Sequence, residues 1–295
     1  MKLSSAIDGY LLFKSTRASA ETISVERILF MQFLRWRNDC AIGDVTPNDI
    51  RRYLAFHRER GLSPHTIRRH RAAISALFVW LSSPDIALTD NNPVSTVPAP
   101  KLPKLQPKSL SNKQIESLLK ATDASRTPRR NRALLLFLLD TGARASEVAN
   151  VNLDNLDPGT GRVKVFGKGS KERYVYLGRR ALSALWLYIH NERPEPAQAN
   201  CRRIFLTQDS YPMTRHTVRQ IIYGLAKRAG IHASPHQFRH TAAIEHLRHG
   251  MDLLSVQRLL GHEDIAVTRR YLIALNDQDV ERQAHRSSPS DNWRL

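Results

Sequence analysis

The sequence is poor in cysteine and in long apolar runs. Its 295 residues include two cysteines, Cys40 and Cys201, which lie far apart in the chain. They support neither a disulfide framework nor a cysteine-based zinc site. The longest plain apolar run, residues 133–139, is far shorter than the roughly 20 residues that a membrane-spanning helix needs. No sustained apolar stretch of the kind found in a secretion signal precedes Lys14. We therefore expect a soluble protein of a reducing cytoplasm.

Acidic residues are also scarce compared with basic ones. The chain has 45 Lys and Arg against 27 Asp and Glu, a formal net charge of +18. Such an excess favours a polyanionic partner, with nucleic acid as the first candidate and an anionic membrane surface as the second. The hydrophobic content of 41% is typical of a folded protein. The length exceeds one ordinary domain of about 100–200 residues and indicates two domains.

Prolines mark the boundary between the two parts of the chain. Five of them between residues 91 and 107 exclude a continuous helix: Pro93, Pro98, Pro100, Pro103 and Pro107. We expect a helical domain over residues 1–97, a linker over 98–108 and a mixed domain over 109–295. The interleaved Lys101, Lys104 and Lys108 could follow a phosphate backbone, or could simply keep the linker soluble.

Basic residues open two of the predicted helices. Ser63-Pro64 begins one helix, and its first turns carry Arg68, Arg69 and Arg71. A second begins after Thr214 and carries Arg215 and Arg219. Both clusters are candidates for DNA contact, and both could instead be solvated surface.

The second part of the chain combines helices with two short strands. Residues 162–166 and 173–177 alternate in the manner of paired strands, and the Gly167–Lys171 segment between them has the composition of a turn. Helical patterns precede and follow this hairpin. The fold class that we predict is mainly α, with a small β-sheet in the second domain.

Candidate catalytic residues lie in four places of this second part. Arg144 falls at a turn between two helices, and His236 and Arg239 are three residues apart on one helical face, an arrangement that suits phosphate. His262 follows the helix-closing Gly261, and Tyr271 comes nine positions later. His236 and His240 also have the spacing of metal ligands on a helix. The intervening Arg239 would repel a metal cation, so we expect His240, like His246 and His249, to be structural or solvent-facing.

These residues lie in the motifs TGARASE, GKGSKER, HQFRH and LLGHEDIAVTRRY, whose order and spacing resemble those of the tyrosine recombinases, or phage integrases. Within that family the chain resembles the compact Xer-like branch, over nearly its whole length. The resemblance implies a helical core-binding domain and an α+β catalytic domain that close around DNA as a clamp.

The resemblance also implies the roles of individual residues. Arg144 and Arg239 would bind the scissile phosphate with His262, and Tyr271 would be the nucleophile. His236 would be the base, and Lys168 the general acid, with Lys171 and Arg173 as neighbouring candidates for that role. Glu147 would orient an active-site cation. Neither a metal ion nor another cofactor is needed, because permanently charged guanidinium groups can stabilise the transition state.

The activity implied by the resemblance is site-specific recombination through a 3′-phosphotyrosyl intermediate and a Holliday junction. The implied partners are double-stranded DNA with specific recombination sites and a tetramer of this chain, or of a related recombinase, on two such sites. An accessory regulatory protein is an optional further partner. Residues 272–286 are predicted to form a short amphipathic helix, which either docks on a neighbouring protomer or packs on its own domain.

Two other functions stay open at this point. A type IB topoisomerase uses similar chemistry but swivels one duplex without paired specific sites. A DNA-binding regulator with a vestigial catalytic set would bind without cutting. The intact set of candidate residues favours recombination over the latter.

Overall fold

The structure is a computed structural model, and it divides the chain into two compact units, residues 1–105 and 106–295. The described residues are 1–103, 108–167, 171–288 and 290. Residues 91–103 form turns and irregular chain without a helix, as their closely spaced prolines require. The rest of the predicted linker includes residues 104–107, which lie outside the described residues.

The first unit is helical throughout its regular structure. Its α-helices are α1 (Leu3–Ser15), α2 (Ala20–Arg37), α3 (Pro47–Glu59) and α4 (Pro64–Leu81). Helix α3 begins with a capping box between Thr46 and Asp49, and the Ser63 side chain caps α4 by accepting from the backbone N–H of Thr66. The apolar stripes of the helices meet in one core, to which Phe33, Tyr53 and Leu77 contribute fully buried side chains.

The second unit is mainly helical and contains one small sheet. Its helices are α5 (Asn112–Asp123), α6 (Pro128–Thr141), α7 (Ala145–Asn150), α8 (Arg179–Asn191), α9 (Arg215–Arg228), α10 (Pro235–Arg248), α11 (Leu253–Leu260), α12 (Ile265–Arg269) and α13 (Asp277–Arg286). Helix α6, long and apolar, is buried at the centre of this unit against α8 and α10. The predicted fold class is confirmed. In the described part of the chain no helix is both long and apolar enough to cross a bilayer.

The sheet is an antiparallel meander of three strands. They are β1 (Leu156–Asp157), β2 (Arg162–Phe166) and β3 (Glu172–Tyr176), in that spatial order. Val163 pairs with Val175, and both are buried against the core. The alternation in the sequence therefore predicted the hairpin correctly, with β3 starting one residue earlier than expected.

The segment before α13 differs from the prediction. Residues 272–286 were expected to form one helix, but Arg270–Ala274 form a 3-10 helix and α13 begins only at Asp277. The physical reason is the side chain of Asn276, which accepts a hydrogen bond from the backbone N–H of Asp279 and so caps a new helix. Helix α13 packs on its own unit in this single chain, because the Gln283 amide donates to the carbonyl of Leu247.

Gly142 ends α6 in the left-handed conformation, with φ of +58°, and turns the chain towards Arg144. A Cβ atom at this position would lie 2.6 Å from Cδ2 of Leu260 and 3.2 Å from Cβ of Ala242. Glycine is therefore required both by backbone conformation and by close packing.

We expect Gly142→Ala to lower the free energy of unfolding of the second unit by about 1–3 kcal/mol, through strain and overpacking. Gly224→Ala is the matched control, because Gly224 lies within α9 and nothing lies within 4 Å of an added Cβ. That change should stabilise the unit by about 0.5–1 kcal/mol. Urea unfolding measures both, and equal effects of the two substitutions would contradict the packing argument.

Candidate active site

Arg239 is the most buried cation of the site, and 4% of the residue is exposed. Its guanidinium donates to the carbonyl of Gly142 at 2.8 Å and to that of Leu260 at 2.7 Å. Burial and then the charge of Arg144 lower the pKa of Arg239 to about 10, so it keeps its proton at neutral pH. The two carbonyls fix the guanidinium between the end of α6 and the end of α11.

Arg144 stands at the start of α7, more exposed than Arg239, and is held by Glu147. Oε1 of Glu147 accepts from Nη1 of Arg144 at 2.9 Å, and Oε2 accepts from its backbone N–H at 2.7 Å. Arg173 of β3 donates to both oxygens of the same carboxylate, at 2.6 and 2.7 Å. The Glu147 carboxylate therefore orients two guanidinium groups, one exposed and one largely buried.

Arg173 also fixes the position of His262. Its Nε donates to the carbonyl of Leu259 at 2.8 Å, at the end of α11. Gly261 then turns the chain with φ of +67°, and a Cβ there would lie 2.9 Å from Cδ of Arg173. His262 follows directly, and its Nδ1 lies 2.8 Å from Oγ1 of the buried Thr268. Burial and the charge of Arg239 lower the pKa of His262 to about 3, so the ring is neutral.

Tyr271 is fully buried, and its hydroxyl group contacts two polar side chains. Nδ1 of His240 lies 3.0 Å from the phenol oxygen. Arg270 donates to the same oxygen from Nη2 at 3.3 Å and covers the phenol ring with its guanidinium at 5.2 Å from the centroid. The His262 ring stacks at 6.4 Å, nearly parallel to that of Tyr271. The phenol thus lies between imidazole rings of α10 and of the α11–α12 connection.

His236 lies one helical turn before His240 on α10, and the centroids of the two rings are 4.1 Å apart. Partial burial and the charges of Arg270, Arg239 and Arg144 lower the pKa of His236. Burial, then His236 and the charges of Arg270 and Arg239, lower the pKa of His240 to about 4. Both imidazoles are therefore neutral at pH 7.

The hairpin turn that carries Lys168 begins and ends beside the site. Lys168 itself, with residues 169 and 170, lies outside the described residues. A Cβ at Gly167, before the turn, would lie 3.5 Å from Oε1 of Glu147. After the turn, Nζ of Lys171 lies 2.5 Å from Oε1 of Glu263, the neighbour of His262.

The charges of the site are strongly unbalanced. The site contains four guanidinium groups, those of Arg144, Arg173, Arg239 and Arg270. The carboxylate of Glu147 pairs with two of them, Arg144 and Arg173. Burial is the first cause that lowers the pKa values of His236, His240, His262 and Arg239, and the repulsion between these cationic groups adds to it. A phosphodiester anion would relieve this repulsion, because it supplies acceptor oxygens and negative charge at the same place.

The predicted DNA-contact residues divide into two groups. Arg68 and Arg69 are exposed on α4, and Arg215 and Arg219 are exposed on α9. Arg71 is half-buried and donates to the backbone carbonyls of Val97 at 2.7 Å and Val94 at 3.2 Å. Its guanidinium therefore holds the chain that follows α4 in place.

Sequence reasoning missed the contact between His240 and the phenol. His240 was expected to be structural or solvent-facing, but it is 8% exposed and touches the hydroxyl of Tyr271. Its spacing of four residues from His236 was the available signal, because positions four apart share a helical face. Arg270 was also missed, and its position next to Tyr271 in the sequence was the signal there.

Comparisons with known proteins identify the family of this chain. The model of the Phage integrase family matches residues 108–278, and that of the Phage integrase N-terminal SAM-like domain matches residues 7–83. The chain belongs to the phage integrase family. The resemblance seen in the sequence motifs is confirmed.

Two named relatives match most of the length of this chain. It is 39% identical over 249 residues to tyrosine recombinase XerC of Bacillus licheniformis, covering 82% of this chain and 81% of that protein. It is 35% identical over 246 residues to tyrosine recombinase XerD of Listeria innocua, covering 81% and 82%.

Solved structures share the fold of this family member. The Tn1549 transposon integrase in complex with circular intermediate DNA matches with a TM-score of 0.79 at 20% identity, over 97% of this chain and 99% of that one. The lambda integrase tetramer bound to a Holliday junction matches with a TM-score of 0.76 at 18% identity, over 90% and 78%.

We expect Glu147→Gln to lower the free energy of unfolding by about 3–5 kcal/mol at pH 7, because it leaves two guanidinium groups without their carboxylate. Burial alone would raise the pKa of Glu147, but the hydrogen bonds and charge of Arg173 hold it below the ordinary value of 4.5. The stability that the ionised carboxylate contributes is therefore present above that value and is lost as pH falls through the lower pKa of the folded state.

Urea unfolding between pH 7 and pH 3 measures this difference between wild type and variant. Glu116→Gln, at an exposed position of α5, is the control and should change stability by less than about 0.5 kcal/mol. A difference for Glu147→Gln that stayed constant down to pH 3 would contradict the assignment.

Proposed function

We propose that this chain is a site-specific DNA recombinase that cleaves and rejoins DNA through a covalent bond to Tyr271. The observation that carries the proposal is the phenol of Tyr271, held by His240 and Arg270 beside a cluster of guanidinium groups. A tyrosine recombinase needs both elements at one scissile phosphate. The XerC and XerD relatives carry the same activity in their names.

In this proposal, Arg144 and Arg239 bind the non-bridging oxygens of the scissile phosphate. Planar guanidinium groups suit this task, because each offers parallel N–H donors and keeps its charge. His262 and His236 add neutral imidazole N–H donors at the rim. Glu147 keeps Arg144 in position through the 2.9 Å contact rather than reacting itself.

The chemical step forms one bond and breaks one bond. The Tyr271 oxygen attacks phosphorus, the P–O5′ bond breaks, and the strand stays attached as a 3′-phosphotyrosyl ester. The leaving 5′ oxygen takes a proton from the general acid, for which Lys168 is the candidate by family resemblance. Religation reverses the step with a 5′ hydroxyl of the partner strand, so no external energy source is needed.

His240 is the better candidate for accepting the proton of the phenol. Family resemblance gives this role to His236, but Nδ1 of His240 is the imidazole atom within 3.0 Å of the phenol oxygen. A neutral ring with its proton on Nε2 can accept at Nδ1. A bound phosphate would offset the charge of Arg239, which is one of the causes that depress the pKa of His240, and would make the ring a stronger base.

We further propose that the two units, with boundaries near residues 97 and 109, close around duplex DNA and that four protomers exchange strands between two sites through a Holliday junction. Solved relatives include DNA complexes and a tetramer on such a junction. A related recombinase as partner and an accessory protein are compatible with this assembly. Exposed Arg68, Arg69, Arg215 and Arg219 are the candidate phosphate contacts. The protein would act on DNA of the cytoplasm.

Tyr271→Phe should abolish the covalent protein–DNA adduct while leaving DNA binding intact, because phenylalanine fills the buried site without supplying the nucleophile. Incubation with genomic fragments, followed by denaturing electrophoresis and mapping of the cut ends, measures the adduct. Tyr223→Phe, at an exposed position of α9, should form it normally. An adduct that persisted in Tyr271→Phe would sink the proposal, and relaxation of plasmids without paired sites would favour a topoisomerase.

His240→Asn should slow strand cleavage by about 10²–10⁴-fold, because an amide can hold the phenol but cannot take its proton. Replacing Tyr271 by a fluorinated tyrosine, whose phenol is more acidic, should restore most of that loss above the lowered pKa of the phenol. Single-turnover cleavage against pH measures both effects. His249→Asn, at the exposed residue that directly follows α10, is the control. A loss equal for both phenols would indicate a purely structural role for His240.

A further inference from the structure

Thr268 is the hydrogen-bond partner of the His262 ring, and the chemical steps proposed above make no use of it. It lies in α12, three residues before Tyr271, and 0% of the residue is exposed. Its Oγ1 lies 2.8 Å from Nδ1 of His262, and within the described residues the hydroxyl has no other partner. A buried hydroxyl with one available partner constrains where that partner carries its proton.

The main chain of His262 is fixed separately from its ring. The backbone N–H of His262 donates to the carbonyl of Gln257 at 3.2 Å, and the side-chain amide of Gln257 donates to the carbonyl of His262 at 3.0 Å. These two contacts hold the backbone to α11 and leave the ring free to rotate about its side-chain bonds. The orientation of the ring therefore depends on its hydrogen bond with Thr268 of α12.

A neutral imidazole carries its single proton on either Nδ1 or Nε2. Burial is the main cause of the low pKa of His262, about 3, so the neutral ring is the form present at pH 7. If Nδ1 carried the proton, it would donate to Oγ1 of Thr268, and the hydroxyl proton would be buried without an acceptor. If Nδ1 is unprotonated, it accepts the hydroxyl proton and both groups are satisfied. The burial of Thr268 therefore selects the tautomer with its proton on Nε2.

Nε2 is the nitrogen of the His262 ring that remains available to a ligand. Among the described residues it has no hydrogen-bond partner, and it keeps some surface open to solvent. The charges of Arg239, Arg144 and Arg270 act on the same ring. A proton on Nε2 makes this atom a donor to an anionic oxygen held by these cations. The other tautomer would present a lone pair, which repels that oxygen.

We propose that Thr268 is a positioning residue that holds His262 in the tautomer with a protonated Nε2, so that this N–H donates to a non-bridging oxygen of the scissile phosphate. The proposal rests on the proposed function for the identity of the anion, whereas the tautomer is a property of the free protein. Because Tyr271 follows three residues after Thr268, one short segment both orients a phosphate donor and presents the nucleophile.

The first test is the tautomer itself, measured from the ring nitrogen shifts of histidine-labelled protein by two-dimensional ¹H–¹⁵N NMR at pH 7. The wild type should show a protonated Nε2 and an unprotonated Nδ1, and signals that disappear in His262→Phe identify this residue among the 12 histidines. Thr268→Val replaces the hydroxyl with a methyl group of similar size and should give a mixture of tautomers, because nothing then selects one. Thr268→Ser keeps the hydroxyl and should keep the wild-type tautomer.

The second test is the rate of covalent adduct formation on a duplex that carries the cleavage site mapped with genomic fragments. Thr268→Val should slow it about ten- to a hundredfold, as expected for the loss of a hydrogen bond to a charged group, and Thr268→Ser should restore most of the rate. Thr122→Val is the matched control, because Thr122 is also fully buried and donates from Oγ1 to the carbonyl of Leu119. It should lower stability without slowing adduct formation.

A double-variant cycle separates an effect through His262 from a general loss of packing. His262→Phe keeps a flat ring but has no ring nitrogen. In that background, Thr268→Val should slow adduct formation by no more than about twofold, because the two residues act as one unit. Urea unfolding of the wild type, both single variants and the double variant shows that each is folded.

A wild-type His262 ring with its proton on Nδ1 would overturn the proposal. So would a wild-type rate in Thr268→Val, or a loss of rate that was just as large in the His262→Phe background. Failure of the recombinase proposal is a different result: the wild type would form no covalent adduct, while the NMR spectra would still confirm or refute the control of the tautomer by Thr268.

Discussion

The structure of the candidate site depends on the buried carboxylate of Glu147. This carboxylate accepts hydrogen bonds from Arg144 at the start of α7 and from Arg173 of β3, and Arg173 in turn donates to the carbonyl of Leu259 near the end of α11. A helix start, a strand and a helix end are thereby brought to one place by charge-assisted hydrogen bonds, and the carboxylate that accepts two of the guanidinium groups is itself buried. The position of Arg144 and the turn that presents His262 depend on these contacts.

Arg239 extends the same principle from α10. Its guanidinium closes off carbonyl groups at the ends of α6 and α11, the two points where glycines let the chain turn sharply. The cations in this site therefore have two roles. They complete the backbone hydrogen bonding of helix ends, and they concentrate positive charge around His262 and Tyr271. Burial, together with this positive charge, lowers the pKa values of the nearby imidazoles and keeps them neutral, and a neutral imidazole is what the transfer of a phenolic proton requires.

Local signals were enough to predict much of the fold. The caps at Ser63 and Thr214 and the helix stop at Gly261 depend on a few neighbouring residues, and each was predicted from the sequence. The start of α13 was predicted too early, at residue 272, because the weak apolar pattern of residues 272–286 continues across the cap at Asn276. The motifs located the residues gathered here from α7, α10 and the α11–α12 connection. The partners of these residues could not be predicted from the sequence, because Glu147 and Arg173 are 26 positions apart and His240 and Tyr271 are 31 positions apart. Only the folded chain brings each pair into contact.

The complete burial of Tyr271 bears on the fate of a broken strand. A phosphate ester formed on a side chain with no surface open to solvent would be shielded from hydrolysis, while a sugar hydroxyl carried in by DNA could still be directed to it. The short 3-10 helix that holds this tyrosine lies between α12 and the separately capped α13. Seclusion of the linkage would thus keep the genome's ends attached to protein until a correct strand arrives.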